Sequence, residues 1–188
     1  QPFLVRFYDP NISERDSRGR TLNQIIGWND QKLEWSHDYI QTLFPLPEGS
    51  LFNWDVPLID EPTFEAFRSR SDLRDSLRRS LTRMLSFYGF ELNSSSGKPE
   101  VDLKADHEAR FRNWVMRSNH NHLRITRIIR SLRVLGLEAE ARAFFEALEE
   151  VYETGLGRSR IGPTSMMYWT RAAERPLYLA PDEDDDDA

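Results

Sequence analysis

The 188-residue chain contains no cysteine. That excludes a disulfide framework, a cysteine-ligated zinc ribbon and a thiol nucleophile, and it is compatible with a reducing compartment. No apolar run approaches the roughly 20 residues needed to cross a bilayer, and no signal-peptide core opens the chain. Glycine and proline number 9 and 10, near the average, so a collagen-like or low-complexity chain is excluded. Lysine is scarce: Lys32, Lys98 and Lys104 stand against 22 arginines. Arginine presents a planar five-donor fork suited to carboxylates, phosphates and aromatic faces, although coding-sequence composition produces the same bias. Catalytic signatures are also missing, among them Gly-x-Ser-x-Gly, a phosphate-binding glycine loop, His-Glu-x-x-His and a Cys-His pair.

The formal charge of −6 is local. Six of the 31 acids fall in Asp182 to Asp187, which leaves a neutral body of 25 acids against 25 Lys plus Arg. A neutral body argues against nucleic acid as a partner. The acid run reads as a disordered tail over residues 182–188, extended by self-repulsion. A first residue that is not Met and an acid run at the end read as cuts from a longer protein.

Hydrophobic periodicity carries most of the organisation. Residues 1–20 read as a polar arm around Phe3 to Tyr8, and Thr21 to Trp28 as a short helical turn. Leu33, His37, Ile40 and Phe44 recur at spacings of 4, 3 and 4, one face of a helix that Pro45 ends. Residues 46–60 read as an ordered loop packed through Leu51, Phe52, Trp54 and Leu58. Pro62 suits the first turn of a helix reaching about Arg70. Leu73, Leu77, Leu81, Met84, Leu85 and Tyr88 form the core stripe of the next. Residues 93–99 read as a mobile loop, and residues 106–116 carry Phe111, Trp114 and Val115 at helical spacing. Asn119 or Asn121 caps a helix that Gly136 stops. Residues 138–153 form the clearest helix, and a last one runs from Pro163 to Glu174. No stretch alternates convincingly with period two. The expected fold is all-α: one globular domain over residues 21–181, with six or seven helices and long ordered loops.

Two dense spots carry the candidate chemistry. Glu34 and Asp38 are four apart, as are Trp35 and Tyr39, so a helix places two carboxylates beside two aromatic faces. Such an edge suits a ligand ammonium through ion pairing and cation–π attraction. The plainer alternative is a solvated acidic edge, with His37 on the apolar stripe as a buried imidazole. At the second spot, His120 and His122 lack a third metal ligand. Asn121 with free helix N-terminal N–H groups, next to Arg124 and Arg127, offers a seat for a carboxylate or phosphate. Capping is the plainer alternative there, and Arg124, Arg127, Arg130 and Arg133 read mostly as a solvated face.

Three segments are distinctive in combination. They are His37-Asp38-Tyr39-Ile40-Gln41 with Leu43-Phe44-Pro45-Leu46; Met84-Leu85-x-Phe87-Tyr88-Gly89; and His120-Asn121-x-Leu123-Arg124-Ile125-Thr126-Arg127-Ile128 with Ser131-Leu132-x-x-Leu135-Gly136-Leu137-Glu138. Their order and spacing resemble the conserved N-terminal domain of the opioid growth factor receptor family, over roughly Phe7 to Leu179. The departures are Thr42 in place of an aromatic residue, Trp35 in place of Tyr, an extra residue around Asn119, and His122 in place of Asn. Without the repeat-bearing C-terminal region of the animal receptor, the chain is similar to a compact, fungal-type relative or to an isolated domain of a longer one. The resemblance implies an intracellular receptor, not coupled to G proteins, that binds the enkephalin-type peptide Tyr-Gly-Gly-Phe-Met and restrains proliferation. It also implies a place at the nucleus and its outer envelope, with the cytoplasm as the alternative.

The combined expectation is a non-catalytic module, without cofactor or metal, that receives a short peptide or protein terminus. Asp38 with Glu34 would take the ammonium, beside His37. Trp35, Tyr39 and Trp114 would supply aromatic walls, and Arg124 and Arg127 with His120 and Asn121 would take a carboxylate. The alternatives are a helical protein–protein scaffold whose motifs are core residues, and an uncharacterised enzyme using Glu34, His37 and Asp38.

Overall fold

Helix starts are set by side chains that accept from the first free backbone N–H groups. Four such caps organise the computed structural model, which describes residues 1–49, 55–155 and 157–183. Thr21 and Gln24 form a reciprocal capping box at α2 (Leu22–Ile26), and Asn29 caps α3 (Asp30–Trp35). Asp60 caps α5 (Glu61–Ser69), with Pro62 in its first turn, and Asn119 caps α8 (His120–Val134). The remaining helices among the described residues are α1 (Phe3–Tyr8), α4 (Ile40–Leu43), α6 (Ser71–Tyr88), α7 (His107–Phe111), α9 (Glu138–Glu153), α10 (Gly157–Ile161) and α11 (Pro163–Glu174).

The chain divides into two compact units, residues 1–83 and 84–188. In the first, residues 3–8 of the expected arm are helix α1, which buries Leu4, Val5, Phe7 and Tyr8. The Tyr8 ring meets Phe67 edge-on at 5.5 Å. Its hydroxyl donates to the Leu43 carbonyl and lies 2.9 Å from Ser80 Oγ. The stripe on α6 is buried throughout: Leu73, Leu77, Leu81, Met84, Leu85 and Tyr88.

Two expectations are corrected here. The fold is mostly helical but not all-α, and it has eleven helices among the described residues, not six or seven. Strands β1 (Phe90–Asn93) and β2 (Glu100–Leu103) pair antiparallel, Phe90 opposite Leu103, and residues 94–99 are their turn. Four alternating residues per strand are too few to register as period two, and the pairing is settled across the loop, not within either strand. The helix count rises because α1 forms within the expected arm, α10 forms before α11, and the stretch expected to run from Asp30 to Phe44 is interrupted at Ser36, whose backbone is extended.

In the second unit, α8 packs against α9 and α11. Trp114 sits among Tyr88, Phe90, Phe111 and Trp169, with ring centroids 5.3–6.2 Å apart. Gly136, at φ +95°, ends α8 as expected. Leu51, Phe52 and Trp54 of the loop, and residues 184–188 of the acid run, lie outside the described residues.

Candidate functional site

The segment from Glu34 to Tyr39 belongs to the first unit, and the interruption at Ser36 removes the helical edge expected there. Tyr39 is buried and donates its hydroxyl to the Leu33 carbonyl at 2.7 Å, closing the chain back over α3. Asp38 faces two guanidinium groups: Arg18 Nε is 2.5 Å from its Oδ2, and Arg20 donates to its Oδ1 at 3.1 Å. Ser and Asp are weak helix formers, so these tertiary bonds outweigh the backbone bonds a continuous helix would add. A ligand ammonium at Asp38 would compete with both arginines. Trp35 is 69% exposed, Glu34 half-buried, and His37 exposed instead of buried on an apolar stripe.

Trp114 and the His120 to Arg127 segment belong to the second unit, and most of their polar groups serve the interior. Trp114 is buried and donates Nε1–H to the Tyr88 carbonyl at 2.8 Å. Asn121 is buried; its Oδ1 accepts from the Tyr88 hydroxyl at 3.2 Å, and the cap itself is Asn119. His122 donates Nε2–H to the Trp114 carbonyl, and its Nδ1 lies at the same 2.7 Å from Ser165 Oγ. Burial holds its pKa below the ordinary histidine value, against the opposing pull of the bond to Trp114. The arginines of α8 correct the solvated-face reading. Arg124, Arg130 and Arg133 are buried, and Arg127 is half-buried. Arg133 donates to the Ala172 and Arg175 carbonyls, each at 2.8 Å, at the end of α11. Arg130 donates to the Leu177 and Leu179 carbonyls. Positive charge at the C-terminus of α11 and the carbonyls it fills there explain the burial of Arg133. His120 is exposed.

None of the ten residues expected to bind the ligand lines the groove of about 700 Å³ in the second unit. Its walls come from β1, β2, α7 and the segment just after it, the end of α9, and α10, including Phe90, Leu103, Phe111, Val115 and Val151. Asp102, Glu108 and Glu150 line it with Arg112 and Arg160. Gly89 and Gly157 allow the walls to close. Gly89 has φ +101°, and a Cβ there would meet the Phe111 ring at 3.2 Å; a Cβ on Gly157 would lie 1.9 Å from the Val151 carbonyl oxygen. Sequence reasoning missed this site because its residues come from five separate elements. The local traces are the short alternations in Phe90-Glu91-Leu92-Asn93 and Glu100-Val101-Asp102-Leu103. Among the described residues no group of three or more His, Asp or Glu is placed to hold a metal, and no helix is long and apolar enough to cross a membrane.

Residues 4–168 match the family described as the opioid growth factor receptor conserved region. The rat opioid growth factor receptor is 43% identical over 136 residues, which cover 71% of this chain and 23% of that protein. The human receptor is 36% identical over 150 residues, 69% of this chain and 22% of its own length. The opioid growth factor receptor-like protein 1 of Xenopus tropicalis is 34% identical over 137 residues, 71% and 26%. The chain thus spans about a quarter of the length of these relatives. No solved structure matches it.

Proposed function

The chain belongs to the opioid growth factor receptor conserved-region family, and on that footing we propose that it is a non-catalytic receptor module for a short peptide. The peptide is of enkephalin type, the role growth-regulatory, and the place of action inside the cell, at the nucleus or the periphery of its envelope. One observation carries this reading: the groove of about 700 Å³ in the second unit combines apolar walls with charges of both signs. A pentapeptide offers that combination, with apolar side chains between two oppositely charged ends. The receptor names of the relatives agree with a ligand-binding role.

The test is calorimetric titration of the full chain with Tyr-Gly-Gly-Phe-Met and with pentapeptides of unrelated sequence. Saturable heat with at least one of them at sub-millimolar concentration is the expected result. Absence of heat across the whole panel would overturn the receptor reading.

A second reading, a helical scaffold for another protein, is favoured by the exposure of Trp35 (69%), just before the first family segment, and of Leu123 (73%), inside the third. It expects no heat from any pentapeptide.

A further inference from the structure

The antiparallel register of the hairpin decides which backbone groups of β2 face away from β1. The Lys104 N–H donates to the Gly89 carbonyl at 2.9 Å, opposite positions in the ladder. Hydrogen-bonded pairs alternate along an antiparallel ladder, so Glu91 with Asp102 and Asn93 with Glu100 are the bonded pairs. Val101 and Leu103 therefore turn their N–H and C=O groups outward, where they have no partner among the described residues. Both residues line the groove. An unpaired strand edge bordering a groove is a template for an added strand.

Charge is graded along that edge. The 700 Å³ groove adjoins a smaller one of about 280 Å³, with which it shares Val101, Asp102, Ala147 and Glu150. The smaller one, at the Glu100 end of β2, adds Glu100 and Glu146, with Lys98 as its one cation. The larger one, at the Leu103 end, has Arg112 and Arg160. Both arginines are exposed and their guanidinium groups make no hydrogen bond, ion pair or ring contact among the described residues, whereas Arg20, Arg70, Arg83, Arg133 and Arg142 are all held by carboxylates. Phe111, Val115 and Val151 lie in the same groove as the two guanidinium groups. The acids of the groove repel a polyanion, while a ligand with one charge of each sign at its ends is complementary to it.

We propose that this groove seats a short extended peptide as a strand added parallel to the outer edge of β2. Arg112 and Arg160 hold its free C-terminal carboxylate, and Glu100, Glu146 and Glu150 receive its N-terminal ammonium. The assignment rests on the peptide-receptor reading and names where and how the peptide sits. The direction follows from the charges, because β2 runs from the acidic end toward the arginines. At ~3.3 Å per residue the four residues of β2 span about 13 Å, which matches a peptide of four or five residues. A large apolar side chain next to the carboxylate meets Phe111, Val115 and Val151.

The test titrates the full chain with Tyr-Gly-Gly-Phe-Met as the free acid and as the C-terminal amide. Two variants are compared with the parent: Arg112→Gln combined with Arg160→Gln, and Val101→Pro. The parent is expected to bind the acid roughly tenfold or more tightly than the amide, since the charge-assisted bonds are lost with the carboxylate. The double variant should bind both forms with the affinity the parent has for the amide. Val101→Pro removes an outward N–H that the hairpin does not use, and should weaken both forms. Circular dichroism verifies that each variant is folded. An acid-over-amide preference that is absent in the parent, or that survives in the double variant, overturns this assignment and leaves the receptor reading standing. Absence of heat with every pentapeptide overturns both.

Discussion

His122 shows how a single side chain in a recognisable segment is committed to the interior. Its neutral form satisfies both ring nitrogens, donating from Nε2 to the Trp114 carbonyl and accepting at Nδ1 from the Ser165 hydroxyl. Burial lowers its folded pKa below the ~6.5 of an unfolded chain, so the unfolded state takes up the proton first as pH falls. The stabilisation is complete above about pH 6.5 and declines as pH falls from there toward the folded pKa. Thermal melts of the parent should shift downward between pH 7.5 and 5.5, and His122→Asn should flatten that slope. An unchanged slope in the variant would place the dependence elsewhere. The Asn-His-Asn-His run was legible as a polar cluster at a helix start, but its polarity suits a ligand and a capped, buried helix end equally well. Burial decides between them, and burial is set by α11, more than forty residues downstream.

At the scale of elements, caps and stripes were readable and interruptions were not. Asn119, Pro62 and Gly136 bound their helices where local chemistry places them. The interruption at Ser36 was hidden because Leu33, His37, Ile40 and Phe44 keep helical spacing; Arg18 and Arg20, remote in sequence, draw Asp38 out of it. The arginines of α8 escape a reading as a solvated face in the same way, because Arg130 and Arg133 donate to carbonyls at and beyond the end of α11, about forty to fifty residues downstream. Arg133 is the clearest case. Replacing it with Met keeps apolar volume but leaves the Ala172 and Arg175 carbonyls without their donor. The expected cost is about 2–4 kcal/mol in urea unfolding, from two orphaned acceptors. Hydrogen exchange should also quicken in the last turn of α11. A cost within error of zero would show that water replaces the guanidinium.

At the scale of the whole molecule, the arginine-rich composition works mainly through local pairing. The formal charge of −6 comes from residues 182–187, and the rest of the chain is neutral. Many of its ion pairs are partly exposed, as between Arg142 and both Glu146 and Glu174. Exposed pairs contribute about 0–1 kcal/mol each and weaken with salt. Raising NaCl from 50 to 500 mM should therefore change the unfolding free energy by less than about 2 kcal/mol. A larger change would point to strongly coupled charges in the interior.

The sequence by itself determined the helical character, most helix ends, the core stripe of α6 and the family. These follow from neighbours along the chain, through periodicity, capping and long uneven motifs. Only the tertiary structure decided that β1 and β2 pair, that Tyr39, Trp114 and Asn121 face inward, and that Arg112 and Arg160 share a groove. Each of these depends on groups far apart in sequence, whose desolvation and hydrogen bonding are set only when the elements meet.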